Sequence, residues 1–360
     1  MTNKDFIFTD SFEVPISGTS HWESPSNIAL VKYWGKKEVQ IPKNSSISFT
    51  LKNCLTNTKL DYNKKIIKTN LLEFDVFFNN KLKLDFKPKI QSFFERILIY
   101  CPYILEYKFN INSSNSFPHS SGIASSASGI SALALCIMSI EKSINPGISD
   151  DYFYKKASFL SRLGSGSACR SIIGSVNLWG SHKSFTESSD LFSVDLTSKV
   201  NDVFMSYHDA VLLVDKGVKT VSSTAGHKLM NDHLFGDKRF QAAQHNIEKL
   251  SVILKNGNLN EFVKLVENEA LMLHGLMMTS DPSYILIKPN TLHIIEKIRE
   301  FRSQSNIPVC FTLDAGANVH VLFPDKYSKE VYRFIDESLK NYCENNSYIK
   351  DCVGFGAKQL

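Results

Sequence analysis

The longest apolar run in the chain lies between Ile130 and Ile140, where Ile130, Leu133, Ala134, Ile137 and Met138 recur at helical spacing. Such a run is about half of what a bilayer requires, so it predicts a helix buried inside a protein and not a membrane span. A chain of 360 residues, 43% of them hydrophobic, has the material to cover that helix and is long enough for two domains. No signal-peptide core is found in the first twenty residues, where Lys4, Asp5, Asp10 and Glu13 interrupt the apolar positions.

The buried helix is entered through Asn115-Ser116-Phe117-Pro118-His119-Ser120-Ser121-Gly122-Ile123-Ala124-Ser125-Ser126-Ala127, a turn without Lys, Arg, Asp or Glu. The helix is expected to begin near Ser125 or Ser126, with a serine as its N-cap. A helix N-terminus carries unpaired N–H groups and partial positive charge, and the small residues Gly122, Ala124 and Ala127 would let an anion approach the backbone. An ordinary serine-capped helix is the rival reading.

Other stretches repeat this chemistry. Gly164-Ser165-Gly166-Ser167-Ala168-Cys169-Arg170-Ser171 is a second Gly/Ser turn, now with an arginine, and Lys219 to His227 is a third polar turn opening a helix. Asn27 to Lys37 ends an apolar, strand-like run in Lys32-Tyr33-Trp34-Gly35-Lys36; its donors suit a polyanion, although lysines snorkelling beside core aromatics would look the same. Leu313-Asp314-Ala315-Gly316 sets an acid at the end of an apolar strand, facing a cleft or capping its own turn. Neither a P-loop nor a dinucleotide-binding glycine motif is present.

Between these turns the pattern predicts strands over 41–51 and 107–111, a hairpin at Asn79-Asn80, and helices over 90–103 and 150–162. A boundary near 200 divides the chain into 1–200 and 201–360. The second part reads as a strand at 209–215, helices at 236–256 and 259–273, strands at 309–313 and 319–323, a helix at 328–342 and a last strand at 352–356. That order predicts an α+β fold with helices on one face of an antiparallel sheet.

A net charge of +5, from 41 basic and 36 acidic residues without like-charge blocks, leaves no case for a nucleic-acid partner. Seven cysteines without a C-x-x-C spacing argue against a zinc ribbon or disulfide framework and for reduced thiols in a cytoplasm.

Together NIALVKYWGK, PHSSGIASSASG, GSGSACRS and FTLDAGAN, in this order along nearly the whole chain, resemble the diphosphomevalonate decarboxylase family of the GHMP kinase superfamily. The resemblance implies a two-domain GHMP kinase fold, with an N-terminal domain like the second domain of ribosomal protein S5 and a C-terminal ferredoxin-like α/β sandwich. It implies ATP-dependent conversion of 5-diphosphomevalonate to isopentenyl diphosphate, with ATP and Mg²⁺ as cofactors, no dedicated metal cage and a homodimer. By the same resemblance Asp314 is the catalytic aspartate, Lys32 sits beside the reacting hydroxyl, Arg170 pairs with the substrate carboxylate and Ser126 lies near the transferred phosphoryl group. Tyr33, Lys36, Ser165, Gly166, Ser167 and Ser223 match substrate-binding positions. Asn115, Pro118, Ser121, Gly122, Ile123, Ala124, Ser125 and Ser126 match the ATP-binding turn. The chain departs from the family pattern at His119-Ser120-Ser121, usually Thr-Ala-Ala, at Ala317, usually proline, and at His227, usually methionine. Decarboxylation of mevalonate 5-phosphate, mevalonate 3-kinase activity and a non-catalytic binding role are the alternatives. The reading requires Asp314, Lys32 and Arg170 to meet in one cavity beside the helix that starts at Ser125.

Overall fold

The computed structural model describes residues 1–9, 13–118, 123–215, 217, 221 and 223–360. In the first half the strands are β1 (Ser17–Ala29), β2 (Lys36–Lys37), β3 (Ile41–Pro42), β4 (Ser46–Lys64), β5 (Glu73–Phe78), β6 (Lys81–Leu82), β7 (Tyr107–Asn115), β8 (Val176–Trp179) and β9 (Ser193–Asp195). The helices are α1 (Lys87–Ile97), α2 (Ser125–Ile144) and α3 (Asp150–Gly164). Long β1 and β4 run antiparallel, and their register shifts between Pro25 and Asn27, where proline has no N–H to give the ladder. Beyond β4 come β7, antiparallel, then β5, parallel to β7, and the hairpin strand β6. Asn79 and Asn80 turn that hairpin with φ of 51° and 61°, as a two-residue turn of this hand requires.

The apolar run is buried as predicted. α2 has the length and hydropathy of a membrane span, yet most of it is enclosed by the fold. Ile130, Leu133, Ala134, Ile137 and Met138 pack with Leu60, Phe109 and Ile111 of the sheet and with Phe159 and Leu160 of α3.

The second half holds β10 (His208–Leu212), α4 (Ser223–Lys228), α5 (Gly236–Asn256), α6 (Leu259–Met278), α7 (Pro289–Ser305), β11 (Cys310–Thr312), β12 (Val319–Phe323), α8 (Ser328–Phe334), β13 (Tyr348–Cys352) and β14 (Lys358–Gln359). Its antiparallel sheet has the order β11-β12-β10-β13. Strand alternation gives it two apolar faces. Ala210, Leu212, Val319 and Val321 meet Ile294 and Ile298 of α7 and Val331 of α8. The expectation of helices on one face only is corrected, because the strands are apolar on both: Val211 and Leu322 on the opposite face meet Leu250 of α5, Phe262 of α6, and Ile47 and Phe49 from β4.

That shared core joins the halves, and two further features pin them. β14 returns to pair with β1, and the Asp351 carboxylate accepts backbone hydrogen bonds from Lys52, Asn53 and Cys54 at 2.8–2.9 Å.

Several predicted boundaries shift for local reasons. α1 stops at Ile97, because Pro102 cannot continue a helix and the chain makes a 3₁₀ turn over Pro102–Glu106. The predicted helix at 328–342 is regular only to Phe334, followed by a π turn and a 3₁₀ turn. The last strand of the second sheet lies at Tyr348–Cys352 and not at 352–356, since Gly354 passes so close to Leu51 and Lys52 that a Cβ there would meet backbone at 2.6 Å. α7 was not predicted, although Pro289 at its start and Asn306, left-handed at its end, are ordinary helix signals.

Candidate active site

A cavity of about 560 Å³ opens where the end of β1, the start of α2, the turn after α3, α4 and the β11–β12 connection meet. At its floor, Lys32 Nζ donates to Asp314 Oδ1 at 3.0 Å. The lysine is buried and the carboxylate is part-exposed to the cavity. Burial holds the Lys32 pKa below the ordinary lysine value, while the negative charges of Asp314 and Glu269 oppose that shift. His274 Nε2 from α6 donates to the Asp314 carbonyl oxygen at 3.1 Å, fixing the backbone that carries the acid.

The Lys32 backbone is held from the second half of the chain. Its N–H donates to Glu269 Oε2 at 2.9 Å, and its carbonyl accepts from Arg239 Nη2 at 3.2 Å. Arg239 of α5 and Glu269 of α6 form a bidentate pair at 2.6 and 3.0 Å, and Asn246 Nδ2 donates to Glu269 Oε1 at 2.6 Å. Both members of the pair are buried. This backbone clamp was not legible in sequence.

Arg170 lies on the 3₁₀ turn Gly166–Ser171 and is buried. Its partners are neutral, the side-chain oxygens of Asn27 and Ser46, and among the described residues no carboxylate forms a salt bridge with it. Burial disfavours the guanidinium charge and the Asp314 carboxylate offsets that without a salt bridge, so an anionic ligand in the cavity would compensate it further. Tyr33 Oη is likewise buried with no hydrogen-bond partner among the described residues. Gly166 is required beside it, because a Cβ there would stand 2.8 Å from the Tyr33 oxygen.

At the mouth, α2 begins after Ala124, which has φ of 41° and provides no side-chain cap. The expected serine cap is therefore corrected: Ser125 and Ser126 are the first helical residues, and both line the cavity. Ser126 Oγ donates to Ser165 Oγ at 3.4 Å, and Lys89 Nζ from α1 donates to Ser126 Oγ.

Of the predicted site residues, Lys32, Tyr33, Lys36, Ala124, Ser125, Ser126, Ser165, Gly166, Ser167, Arg170, Ser223 and Asp314 all line the cavity. Asn115, Pro118 and Ile123 do not. Asn115 Oδ1 accepts from Thr56, and Ile123 turns its side chain into the core while its carbonyl accepts from Ser26. Ser121, Gly122 and the divergent His119 lie outside the described residues. Lys89 was missed, because the helix was expected to start only at Ile90. It joins Lys32, Lys36 and Arg170 as the basic lining, against Asp314 as the acid, so the cavity is built for a polyanion.

Residues 24–190 match the diphosphomevalonate decarboxylase-like N-terminal domain, and residues 210–356 match the mevalonate 5-diphosphate decarboxylase C-terminal domain. The chain belongs to the diphosphomevalonate decarboxylase family. Diphosphomevalonate decarboxylase of Ganoderma lucidum is 26% identical to it over 93% of this chain and 84% of that protein; that of Candida albicans is 26% identical over 86% and 85%. Mevalonate diphosphate decarboxylase from Staphylococcus aureus superposes with a TM-score of 0.81 at 25% identity, over 96% of this chain and 98% of that one. A protein designated MDDEF, solved in complex with MVAPP, AMPPCP and magnesium, has a TM-score of 0.81 at 26% identity, over 96% of this chain and 99% of that one.

His227 is buried against Trp34 and Tyr33. Burial, with the charge of Lys36, pushes its imidazole down to about 3. The unfolded chain therefore takes up a proton that the folded chain refuses. The stability from this group is full above pH ~6.5 and is lost as pH falls from there toward 3. Thermal unfolding across that range should show a steeper acid loss of Tm in the wild-type protein than in His227→Met; parallel curves would contradict it.

Proposed function

We propose that this decarboxylase-family protein converts (R)-5-diphosphomevalonate and ATP to isopentenyl diphosphate, ADP, phosphate and CO2. The observation that carries the reading is a single cavity in which the Lys32–Asp314 pair and the buried Arg170, which has no salt bridge among the described residues, face two hydroxyl-lined turns. The related MDDEF complex with MVAPP, AMPPCP and magnesium supports the same pairing of substrate and nucleotide.

In the first step the 3-hydroxyl oxygen attacks the γ-phosphorus of ATP, its proton passes to the Asp314 carboxylate, and the bond to the ADP oxygen breaks. Lys32 stabilises the negative charge developing on that oxygen. In the second step the carbon–oxygen bond at C3 breaks with its electron pair leaving on phosphate. The bond to the carboxylate then supplies the electrons of the new carbon–carbon double bond, and CO2 departs. Arg170 holds that carboxylate in line through its planar fork. Tyr33, Lys36, Ser165 and Ser167 bind the substrate diphosphate, Ser223 contacts phosphate from α4, and the α2 start with Ser125 and Ser126 receives the ATP phosphates.

The donor set fits a magnesium ion that arrives with ATP. Among the described residues no three His, Cys, Asp or Glu side chains gather into a cage, while Asp314 and Ser126 offer the hard oxygen ligands that complement phosphate oxygens. When bound, the ion supplies charge neutralisation on the phosphates. A homodimer in a reducing cytoplasm belongs to the same proposal; seven cysteines, none of them in a disulfide, support the compartment, and the family resemblance supports the dimer.

The test measures ADP and CO2 release in parallel on 5-diphosphomevalonate, mevalonate 5-phosphate and mevalonate. Equal release on the diphosphate is expected. ADP without CO2 would reassign the protein as a kinase, and a preference for the monophosphate would move it to the other decarboxylase class.

Lys89 provides a separate check on the nucleotide side. Removing a charge-assisted phosphate contact costs about 1.5–3 kcal/mol, so Lys89→Ala should raise the KM for ATP ~10-fold or more. The KM for the mevalonate substrate should hardly change, and steady-state kinetics with each substrate varied in turn distinguishes the two.

A further inference from the structure

His227 lies on α4 with its ring between two aromatics, 4.4 Å from the Tyr33 centroid and 4.6 Å from that of Trp34. Nδ1 accepts the Gly35 backbone N–H at 2.9 Å, so a neutral ring must carry its proton on Nε2. The ring is neutral, because burial and the nearby Lys36 both disfavour the cation. Nε2 has no partner among the described residues, yet it is not one of the sealed, unsatisfied atoms of the interior. The ring's exposed edge borders the main cavity and an adjoining recess of about 310 Å³ whose wall sets Lys36, Lys37, Lys43 and Lys228 against one acid, Glu38.

A hydrogen-bond donor of fixed tautomer, nine-tenths buried and facing a cationic recess, is matched to a phosphate oxygen. We propose that His227 Nε2–H donates to the terminal phosphate of the substrate's diphosphate and so favours a diphosphate over a monophosphate substrate. The inference rests on the proposed function and deepens it. The donor needs no further positive charge in a wall that already holds Lys36 and Lys228, where a second cation at 227 would be repelled. Where the family resemblance expects methionine, the thioether has no N–H to offer.

Three variants separate ligand contact from scaffold. Glutamine can bring an amide N–H to the position of Nε2. Asparagine reaches only the position of Nδ1 and can keep the bond to Gly35. Methionine keeps neither. For 5-diphosphomevalonate, His227→Met and His227→Asn should each raise KM ~10-fold with kcat nearly unchanged, the signature of binding lost away from the reacting carbon. His227→Gln should stay within ~3-fold of wild type. The KM for ATP should not move, and the preference for diphosphate over mevalonate 5-phosphate should shrink in parallel with affinity.

Wild-type affinity in His227→Met overturns the proposal, as does loss in His227→Gln with retention in His227→Asn, which would make the Gly35 bond the whole role. Should the variants fail to fold, the wild-type protein labelled with ¹⁵N-histidine gives the answer. Its Nε2–H resonance should shift on adding 5-diphosphomevalonate and less on adding the monophosphate; no shift refutes the contact. A wild-type protein that does not turn over 5-diphosphomevalonate would refute the proposed function instead, so the two failures are distinct.

Discussion

Asp314→Asn lowers turnover at least ~10²-fold while the KM for 5-diphosphomevalonate stays within a few-fold of wild type. The carboxamide fills the same space at the start of the β11–β12 connection, but it cannot take the 3-hydroxyl proton. It also removes the charge that Lys32 Nζ meets at 3.0 Å. Without it, one of the two charges opposing the desolvation of Lys32 is gone, and the lysine pKa falls further. The sign of the pH effect follows. Activity that needs charged Lys32 is lost as pH rises, at a lower pH than an ordinary lysine would give, and Asp314→Asn should move that alkaline limb to lower pH still. Single-turnover phosphoryl transfer followed across pH measures both effects. Turnover near that of the wild type would remove Asp314 from the proposed mechanism.

The parts of the molecule legible in sequence are those whose causes are local. Asn79-Asn80 specify a turn because asparagine tolerates positive φ, and the apolar face of 130–140 specifies a buried helix whatever covers it. Lys32, Arg170 and Asp314 were legible through four stretches whose joint order resembles one family, and the structure brings them into one cavity. What stayed hidden depends on partners distant in sequence. Lys89 reads as one lysine among many until α1 carries it to Ser126. His227 reads as a divergent residue until the Gly35 N–H fixes its tautomer. The cap of α2 was misassigned because a serine-rich turn offers several equivalent caps, and only the backbone dihedrals show that Ala124 takes the position.

Glu269→Gln tests the most deeply hidden of these relations. Glu269 and Arg239 come from adjacent helices of the second half, and together they bond both backbone polar groups of Lys32, 237 residues away from the glutamate in sequence. Both are buried, so removing the carboxylate charge leaves Arg239 uncompensated in a low-dielectric interior. Breaking such a pair costs about 3–5 kcal/mol, enough to lower Tm markedly. The clamp also sets where Lys32 Nζ stands, and a displacement of about 1 Å at a reacting group can cost ~10²-fold in rate. Stability and positioning are separable. Replacing the pair together by apolar residues, Arg239→Met with Glu269→Leu, removes both buried charges, and such exchanges are often neutral or stabilising. The double variant should therefore recover much of the lost Tm. It cannot restore the hydrogen bond to the Lys32 N–H, and it leaves the carbonyl held by Asn44 Nδ2 alone, at 3.0 Å, so its turnover should stay low. Recovery of turnover along with Tm would show that the pair only stabilises the fold, whereas recovered Tm with depressed kcat identifies the clamp as the element by which the second half positions Lys32 against Asp314.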